Sequence, residues 1–348
     1  MGEPERTHPA LAHRIFSFTE TAMNLGSMTI RRPAALHGLG GTIRLESLVV
    51  LLLLILALSL ASPYFLSVSN ALNILLATSV IGILGFSATF VIAAAGIDLS
   101  VGSVLGFGGV AGALAVNALH LPWPAGILVS LLAGALCGLV NGLLITRARV
   151  PAFIVTLGML GVARGAALVL TNGQPVYGLP APMVWLGQGR PFGVPVPAII
   201  FLGVAAITHF VLSRTRFGKY ALVIGDNQNA ARATGIHVER HLVALYTLSG
   251  FLAGLAGLVS AARVNSGDPT AGTGYELAAI TAAILGGTNL FGGRASVVGT
   301  LIGALIMGVL QNGLNLLAVS SFYQQMAIGA VLVLAVWLDQ LNRGRGRA

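Results

Sequence analysis

Few residues in this chain carry chemistry, and several of those that do stand beside glycine-rich breaks in long apolar runs. The stretch Ala95-Gly96-Ile97-Asp98-Leu99-Ser100-Val101-Gly102-Ser103 sets one carboxyl and two hydroxyls at the expected start of an apolar helix. Asp98 suits an N-cap there, because its oxygens can accept from the free N–H groups of the next turn and lie at the positive end of the helix dipole. The functional alternative makes Asp98 and Ser100 part of a passage, since irregular backbone at membrane depth is tolerated where it lines a cavity. Arg164 is the one basic residue inside an apolar run, and Thr171-Asn172-Gly173-Gln174-Pro175 follows two helical turns later. A charge so placed faces a bundle interior or water, or is held by carbonyls at a helix end. Thr171, Asn172 and Gln174 add neutral hydroxyl and amide groups, which suit a polyhydroxylated solute that offers hydrogen bonds and no charge.

The longest internal hydrophilic segment, 213–241, contains Gly225-Asp226-Asn227-Gln228-Asn229-Ala230-Ala231-Arg232-Ala233-Thr234-Gly235-Ile236. It reads as one short helix that Asp226 or Asn227 caps, alanines favour and Gly235 ends. Such a helix, presenting small residues, is shaped to enter a groove on a partner protein, whereas a plain solvated loop is the default reading of the same segment. No G-x-x-x-x-G-K-[ST] phosphate loop is present, because the single Gly-Lys pair, Gly218-Lys219, is followed by Tyr220 and lacks the upstream glycine. If ATP powers the protein, another polypeptide binds it. The one cysteine, Cys137, excludes an internal disulfide and a cysteine metal cluster, and no catalytic or metal-binding set is expected.

The elements that must hold these groups follow from composition. Hydrophobic residues make up 56% of the chain and charged ones 8%, against roughly 25% in a soluble domain, so a water-facing surface cannot be built. About ten runs have the apolar character of membrane-crossing helices. They cover 45–62, 72–94, 99–118, 124–145, 151–171, 196–212, 242–262, 276–288, 296–317 and 322–339. The breaks at Ala95 to Asp98 and at Gly286-Gly287-Thr288-Asn289 make the third and eighth of these interrupted helices. With ten crossings, sixteen of the nineteen Lys and Arg residues fall on one side, only Arg190 and Arg263 fall on the other, and Arg164 lies within a span. The excess of basic residues therefore sets orientation, with both termini cytoplasmic, and does not indicate nucleic acid. The expected organisation is a cytoplasmic extension over 1–44, a membrane domain over 45–340 and a basic tail over 341–348. A weak repeat relates Gly134-Ala135-Leu136 and Gly138 to Leu143 with Gly303-Ala304-Leu305 and Gly308 to Leu314, on spans four and nine, which cross in opposite directions. The expected fold is an all-α polytopic transmembrane bundle with an inverted internal repeat and broken helices.

Taken together, these motifs resemble the ribose-type branch of the ABC-importer permeases, related to the branched-chain amino-acid permeases. The resemblance runs from about Leu66 to Asp339. It rests on Gly96 to Ser103, on Arg164-Gly165 leading to Thr171 to Pro175, and on Gly225 to Ile236. It continues through Pro269-Thr270-Ala271-Gly272-Thr273-Gly274-Tyr275-Glu276-Leu277, Gly286 to Gly293 and Asn312 to Leu317. What it implies is a permease that acts as a homodimer or heterodimer in the bacterial inner membrane, with an ABC ATPase subunit and a periplasmic sugar-binding protein. It further implies a substrate pathway that takes in Tyr275, Glu276 and Asn289 beside Asp98, Ser100, Arg164, Thr171, Asn172 and Gln174. The stretch containing Gly225, Asp226, Asn227, Ala230, Ala231 and Gly235 matches the family's coupling helix, and no cofactor belongs to this chain. Two residues depart from the pattern. Ala278 stands where sugar permeases of this type often have Asp, and Ala295 replaces a glycine of the usual Gly-Gly-x-Gly turn.

Rival readings remain. A branched-chain amino acid or another small polar solute fits the same architecture, although the uncharged polar cluster favours a pentose or hexose. An ion-coupled secondary transporter would want an intramembrane carboxylate relay, and beyond Asp98 and Glu276 the spans offer almost none. An intramembrane enzyme would need a metal set or a Ser/His dyad at depth, and His209 stands alone.

Overall fold

The protein is described by a computed structural model that covers residues 45–345, with side chains to Trp337. The N-terminal extension over 1–44, the last three residues of the basic tail and the side chains of Arg343 and Arg345 lie outside the described residues. Each of the ten apolar runs is a helix: α1 (Leu45–Ala61), α2 (Val68–Ala93), α3 (Val101–Asn117), α4 (Trp123–Thr146) and α5 (Ala152–Thr171) come first. After α6 (Ala181–Gln188) come α7 (Val196–Arg214), α8 (Arg216–Asp226), α9 (Gln228–Ala233) and α10 (Val238–Val264). The last three are α11 (Tyr275–Leu285), α12 (Val297–Leu316) and α13 (Ser321–Arg345). Of these, α2, α4, α5, α7, α10 and α12 are long and apolar enough to cross a membrane unaided, whereas α1, α3, α11 and the apolar part of α13 are shorter. The short ones include α3 and α11, which begin where glycine-rich backbone interrupts the path.

Three features were not expected. Helix α6 lies between two apolar runs, where no element was expected. A two-residue antiparallel pair, β1 (Val176–Tyr177) with β2 (Ser266–Gly267), joins the segment after α5 to the end of α10. The segment over 213–241 holds two helices where one was expected. Helix α8 consumes Gly225 and Asp226 as its last turn, so Asp226 is not the cap of the next helix. Asn227 alone caps α9, its Oδ1 accepting from the N–H groups of Asn229 at 2.9 Å and Ala230 at 3.0 Å. Gly235, at φ +84°, ends α9 as expected, in a conformation that a side chain would strain.

Packing separates an inner from an outer set. In α2, every residue from Thr78 to Ala93 is buried, and α3, α10, α11 and α12 are buried over most of their turns. Helices α1, α4, α5, α7 and α13 instead turn Leu52, Leu132, Val162, Phe210 and Val333 outward. Such an apolar exterior is unfavourable in water and natural against hydrocarbon. Along one seam, α4 meets α10 through glycines: a methyl group on Gly138 would lie 2.1 Å from the Tyr246 carbonyl oxygen, and one on Gly250 2.1 Å from that of Gly134. Backbones approach this closely only where no side chain intervenes, which is how helices gain dispersion energy in lipid.

The helix pairings carry the repeat. Helix α3 packs on α4, α5 and α10, and α11 packs on α12, α13 and α2. Helix α4 packs on α10, and α12 on α2. Exchanging α2 with α10, α3 with α11, α4 with α12 and α5 with α13 maps each of these contacts onto another. The break over 94–100 thereby becomes the counterpart of the break over 265–274.

Candidate functional site

The first break folds into a buried polar knot. The chain leaves α2 through Ala95, a non-glycine residue at φ 59°, and α3 begins at Val101. Asp98 is 4% exposed between them. One of its carboxylate oxygens accepts from the Ser100 N–H at 3.0 Å and the Ser100 hydroxyl at 2.6 Å, and the other accepts from Ser249 of α10 at 2.7 Å. Ser249 in turn lies 3.0 Å from the hydroxyl of Ser87 on α2, and the Asn141 amide on α4 donates to Ser100 at 3.0 Å. Around the knot, Thr156 of α5 and Tyr246 of α10 donate to the Ile97 carbonyl, at 3.3 and 3.4 Å. Asp98 is therefore not the N-cap that its position suggested: Ser100 holds that position, and the Asp98 carboxylate accepts from Ser100 instead of from the first turn of α3. It ties α2, α4 and α10 to one irregular segment, since a carboxylate in apolar surroundings must collect donors from every side.

The second break is built on the same residues. Asp268 Oδ1 accepts from the Thr270 N–H at 2.7 Å and the Thr270 hydroxyl at 2.8 Å, repeating the turn of Asp98 and Ser100. In sequence, Asp98-Leu99-Ser100-Val101-Gly102-Ser103 and Asp268-Pro269-Thr270-Ala271-Gly272-Thr273 share Asp-x-Ser/Thr-x-Gly-Ser/Thr. Asp268 was missed, and this hexapeptide repeat was the signal that would have found it. Arg164 clamps the turn: its Nη1 donates to the carbonyls of Pro269 and Ala271, the latter at 2.9 Å. Of the two readings for Arg164, carbonyl anchoring is the one realised, with loop carbonyls in place of a helix end. The carboxylates of Glu276 and Asp268 also act electrostatically on its guanidinium. Glu276 packs against the bare face of Gly102, where a methyl group would lie 2.1 Å from its Oε2. Arg164, Glu276 and the α3 glycines therefore share one neighbourhood, and Tyr275 opens α11 beside them, packed on the core.

Other residues expected in a substrate pathway sit elsewhere. The Thr171 hydroxyl turns back to the Ala167 carbonyl at 2.8 Å, Asn172 takes the left-handed position that ends α5, and Asn172 and Gln174 are exposed. They end a helix and lead into β1. Asn289 shapes the turn before α12, its Oδ1 accepting from Phe291 N–H at 2.8 Å. That turn belongs with the coupling residues: Gly293 N–H donates to the Ala93 carbonyl at 3.1 Å, and methyl groups on Gly225 and Gly292 would lie 1.9 Å from Ala93 O and 2.7 Å from Gly225 O. The structure thus groups Asn289 with Gly225 and Asp226, away from Glu276.

Among the coupling residues, Ala231 requires a correction. It is fully buried within the chain's own core, so it cannot be offered to a partner. On a helix of six residues the inward positions are few, and Asn227, Gln228, Asn229, Ala230, Arg232 and Ala233 form the exposed face. Arg232 pairs there with Glu239 at 2.9 Å. The two departures from the family pattern also find their places: Ala278 is buried in the core, where an aspartate would need partners, and Ala295 packs against its margin. No group of residues suited to hold a metal occurs among the described residues.

Comparison with known proteins adds the last step. The profile of the family described as branched-chain amino acid transport system / permease component matches residues 70–336. The ribose import permease of Escherichia coli K12 is 46% identical over 302 residues, which cover 84% of this chain and 92% of that protein. The ribose import permease of Bacillus subtilis 168 is 43% identical over 303 residues, 83% and 90% of the two chains. The L-arabinose ABC transporter permease of Azospirillum brasilense is 40% identical over 299 residues, 86% and 88%. No solved structure matches the chain. A multi-pass helical bundle with paired broken helices, matched along most of its length by permease subunits, belongs to the branched-chain amino acid transport system permease family.

Proposed function

We propose that this chain is the membrane-spanning permease subunit of an ATP-driven importer that carries a monosaccharide inward by alternating access. The observation that carries the reading is the likeness, at 40% identity or more, to permeases named for ribose and arabinose. The chain itself supplies no phosphate-binding loop, so the ATPase is a separate subunit. A periplasmic sugar-binding protein delivers the solute and a second permease copy completes the pathway. In this reading the protein lies in the bacterial inner membrane with both termini in the cytoplasm, as the one-sided distribution of Lys and Arg favours.

Force enters through α9. Its exposed polar face docks on the ATPase, and it follows directly on Gly225 and Asp226, which belong to a junction of three segments, 93–95, 225–226 and 292–293, that touch backbone to backbone. Ala93 ends α2 five residues before Asp98, so movement of α9 is transmitted to the first break over a short rigid path. Only a partner that binds two states differently can bias them.

Reconstitution of the chain with its ATPase and binding protein tests the proposal. ATP should drive accumulation of labelled ribose or arabinose in vesicles, and Asn229→Trp on the exposed face of α9 should sever uptake from ATP hydrolysis. Accumulation driven by a proton or sodium gradient without ATP would refute it, as would transport of leucine in preference to any sugar.

A further inference from the structure

At the second break the structure leaves a cleft between α3 and α10. Leu105, Gly106, Gly109, Gly257 and Ala261 surface one part of it, and Ser260, Ser266 and Asp268 border the other. Its volume is about 110 Å³. A single water needs only about 10–15 Å³ on the same measure, so the space admits a solute of several heavy atoms. Ser266 is 4% exposed, yet its hydroxyl has no hydrogen-bond partner among the described residues. A buried hydroxyl left so loses the hydrogen bonds it had in water, and structures seldom tolerate that without a ligand or an ordered water to fill the gap.

We infer that this cleft is a binding subsite for one monosaccharide ring, held by Ser260, Ser266 and Asp268 on its hydroxyl edge and by the glycine-lined wall on its C–H face. The inference rests on the importer reading above. Glycine is what brings the wall close: a methyl group on Gly106 would lie 2.9 Å from the Ala271 carbonyl and 3.1 Å from Arg164 Nη1, and one on Gly257 2.2 Å from the Leu105 carbonyl. Two hydroxyls and one carboxylate can donate to and accept from neighbouring sugar hydroxyls, whereas an amino-acid zwitterion needs a cation for its carboxylate. Arg164 is the basic group beside the cleft, and its Nη1 is engaged by the Pro269 and Ala271 carbonyls. A calcium or magnesium ion would want about six or more close oxygens, and among the described residues three polar side chains border the cleft. Arg164 is then a positioning residue. By fixing Pro269 and Ala271 it sets the turn that presents Asp268.

The test uses the whole importer in vesicles, with Ser266→Cys or Ser260→Cys introduced beside Cys137→Ala. The rate of alkylation by a small hydrophilic maleimide is measured against rising ribose or arabinose. Sugar should slow alkylation at both positions at least threefold, and Asp268→Asn should raise the half-protecting concentration about tenfold, the effect of losing one hydrogen bond. Unchanged alkylation at saturating sugar, protection by leucine in place of sugar, or a cysteine at 266 that never reacts would each overturn the subsite. If the parent importer accumulates labelled sugar while protection is absent, the subsite alone has failed. If it accumulates no monosaccharide, the importer reading has failed with it.

Discussion

The glycine seam between α4 and α10 gives the sharpest quantitative expectation. In Gly250→Ala the new methyl would lie 2.1 Å from the Gly134 carbonyl oxygen and 2.8 Å from the Gly138 N. Both contacts are with backbone, so no side chain can swing aside. To reach an ordinary contact of 3.4 Å the helices must part by about 1.3 Å, a gap that forfeits much of the dispersion energy along the seam. Ser249 precedes Gly250, so a retreat of α10 by that amount would draw its hydroxyl from 2.7 Å toward about 4 Å from the Asp98 carboxylate, beyond hydrogen-bond range. Overpacking costs about 1–3 kcal/mol, and loss of a hydrogen bond to a charged group about 1.5–3 kcal/mol, so the expected destabilisation is about 3–5 kcal/mol. Unfolding in mixed micelles, followed by tryptophan fluorescence, would measure it. The control is Gly158→Ala or Gly161→Ala on α5, where a methyl meets nothing within 4 Å. The same change there should be neutral or stabilise by up to about 1 kcal/mol through helix propensity. If Gly250→Ala falls within about 0.5 kcal/mol of the parent, the seam is softer than its distances state and the reasoning fails.

Further expectations follow from the polar sites. Asp98→Ala should destabilise by about 3–5 kcal/mol, because it removes the acceptor of the Ser100 N–H and of the Ser100 and Ser249 hydroxyls, and Asp98→Asn by less, since its amide still offers one acceptor; the same unfolding assay ranks them. Ala231→Glu should lower the amount of folded protein, because it buries a charge, whereas Ala230→Glu should leave folding intact and reduce uptake; detergent-soluble yield and vesicle transport separate the two. Asn227→Ala should remove about 1 kcal/mol from the α9 cap, read as faster amide exchange at Asn229 and Ala230. Glu239→Gln breaks an exposed ion pair and should change stability by less than about 1 kcal/mol, with the difference vanishing in high salt.

Much of this protein was legible in its sequence, for one physical reason. In hydrocarbon an unpaired backbone group is costly, and a helix pairs its own N–H and C=O groups, so an apolar run of about 20 residues announces a helix. All ten runs are therefore helices, with ends within about four residues of those expected except that α13 continues to Arg345, and Gly235 stops α9 where its type foretold. The break at Gly96 also declared itself, because Asp98 and Ser100 set a carboxyl and a hydroxyl beside that glycine between two apolar runs.

Tertiary structure alone decided how side chains from distant segments meet. Asp98 reads as a cap because capping is local, but its bond to Ser249 spans 151 positions and has no sequence signature. Asn289 was expected in one substrate pathway with Glu276, yet the turn it shapes docks on Ala93 and Gly225, since chain direction returns it to the opposite end of α11. Ala231 and Ala230 are the same residue type in adjacent positions. Rotation about the axis of a short helix buries one and exposes the other, and only the body it packs against fixes that angle.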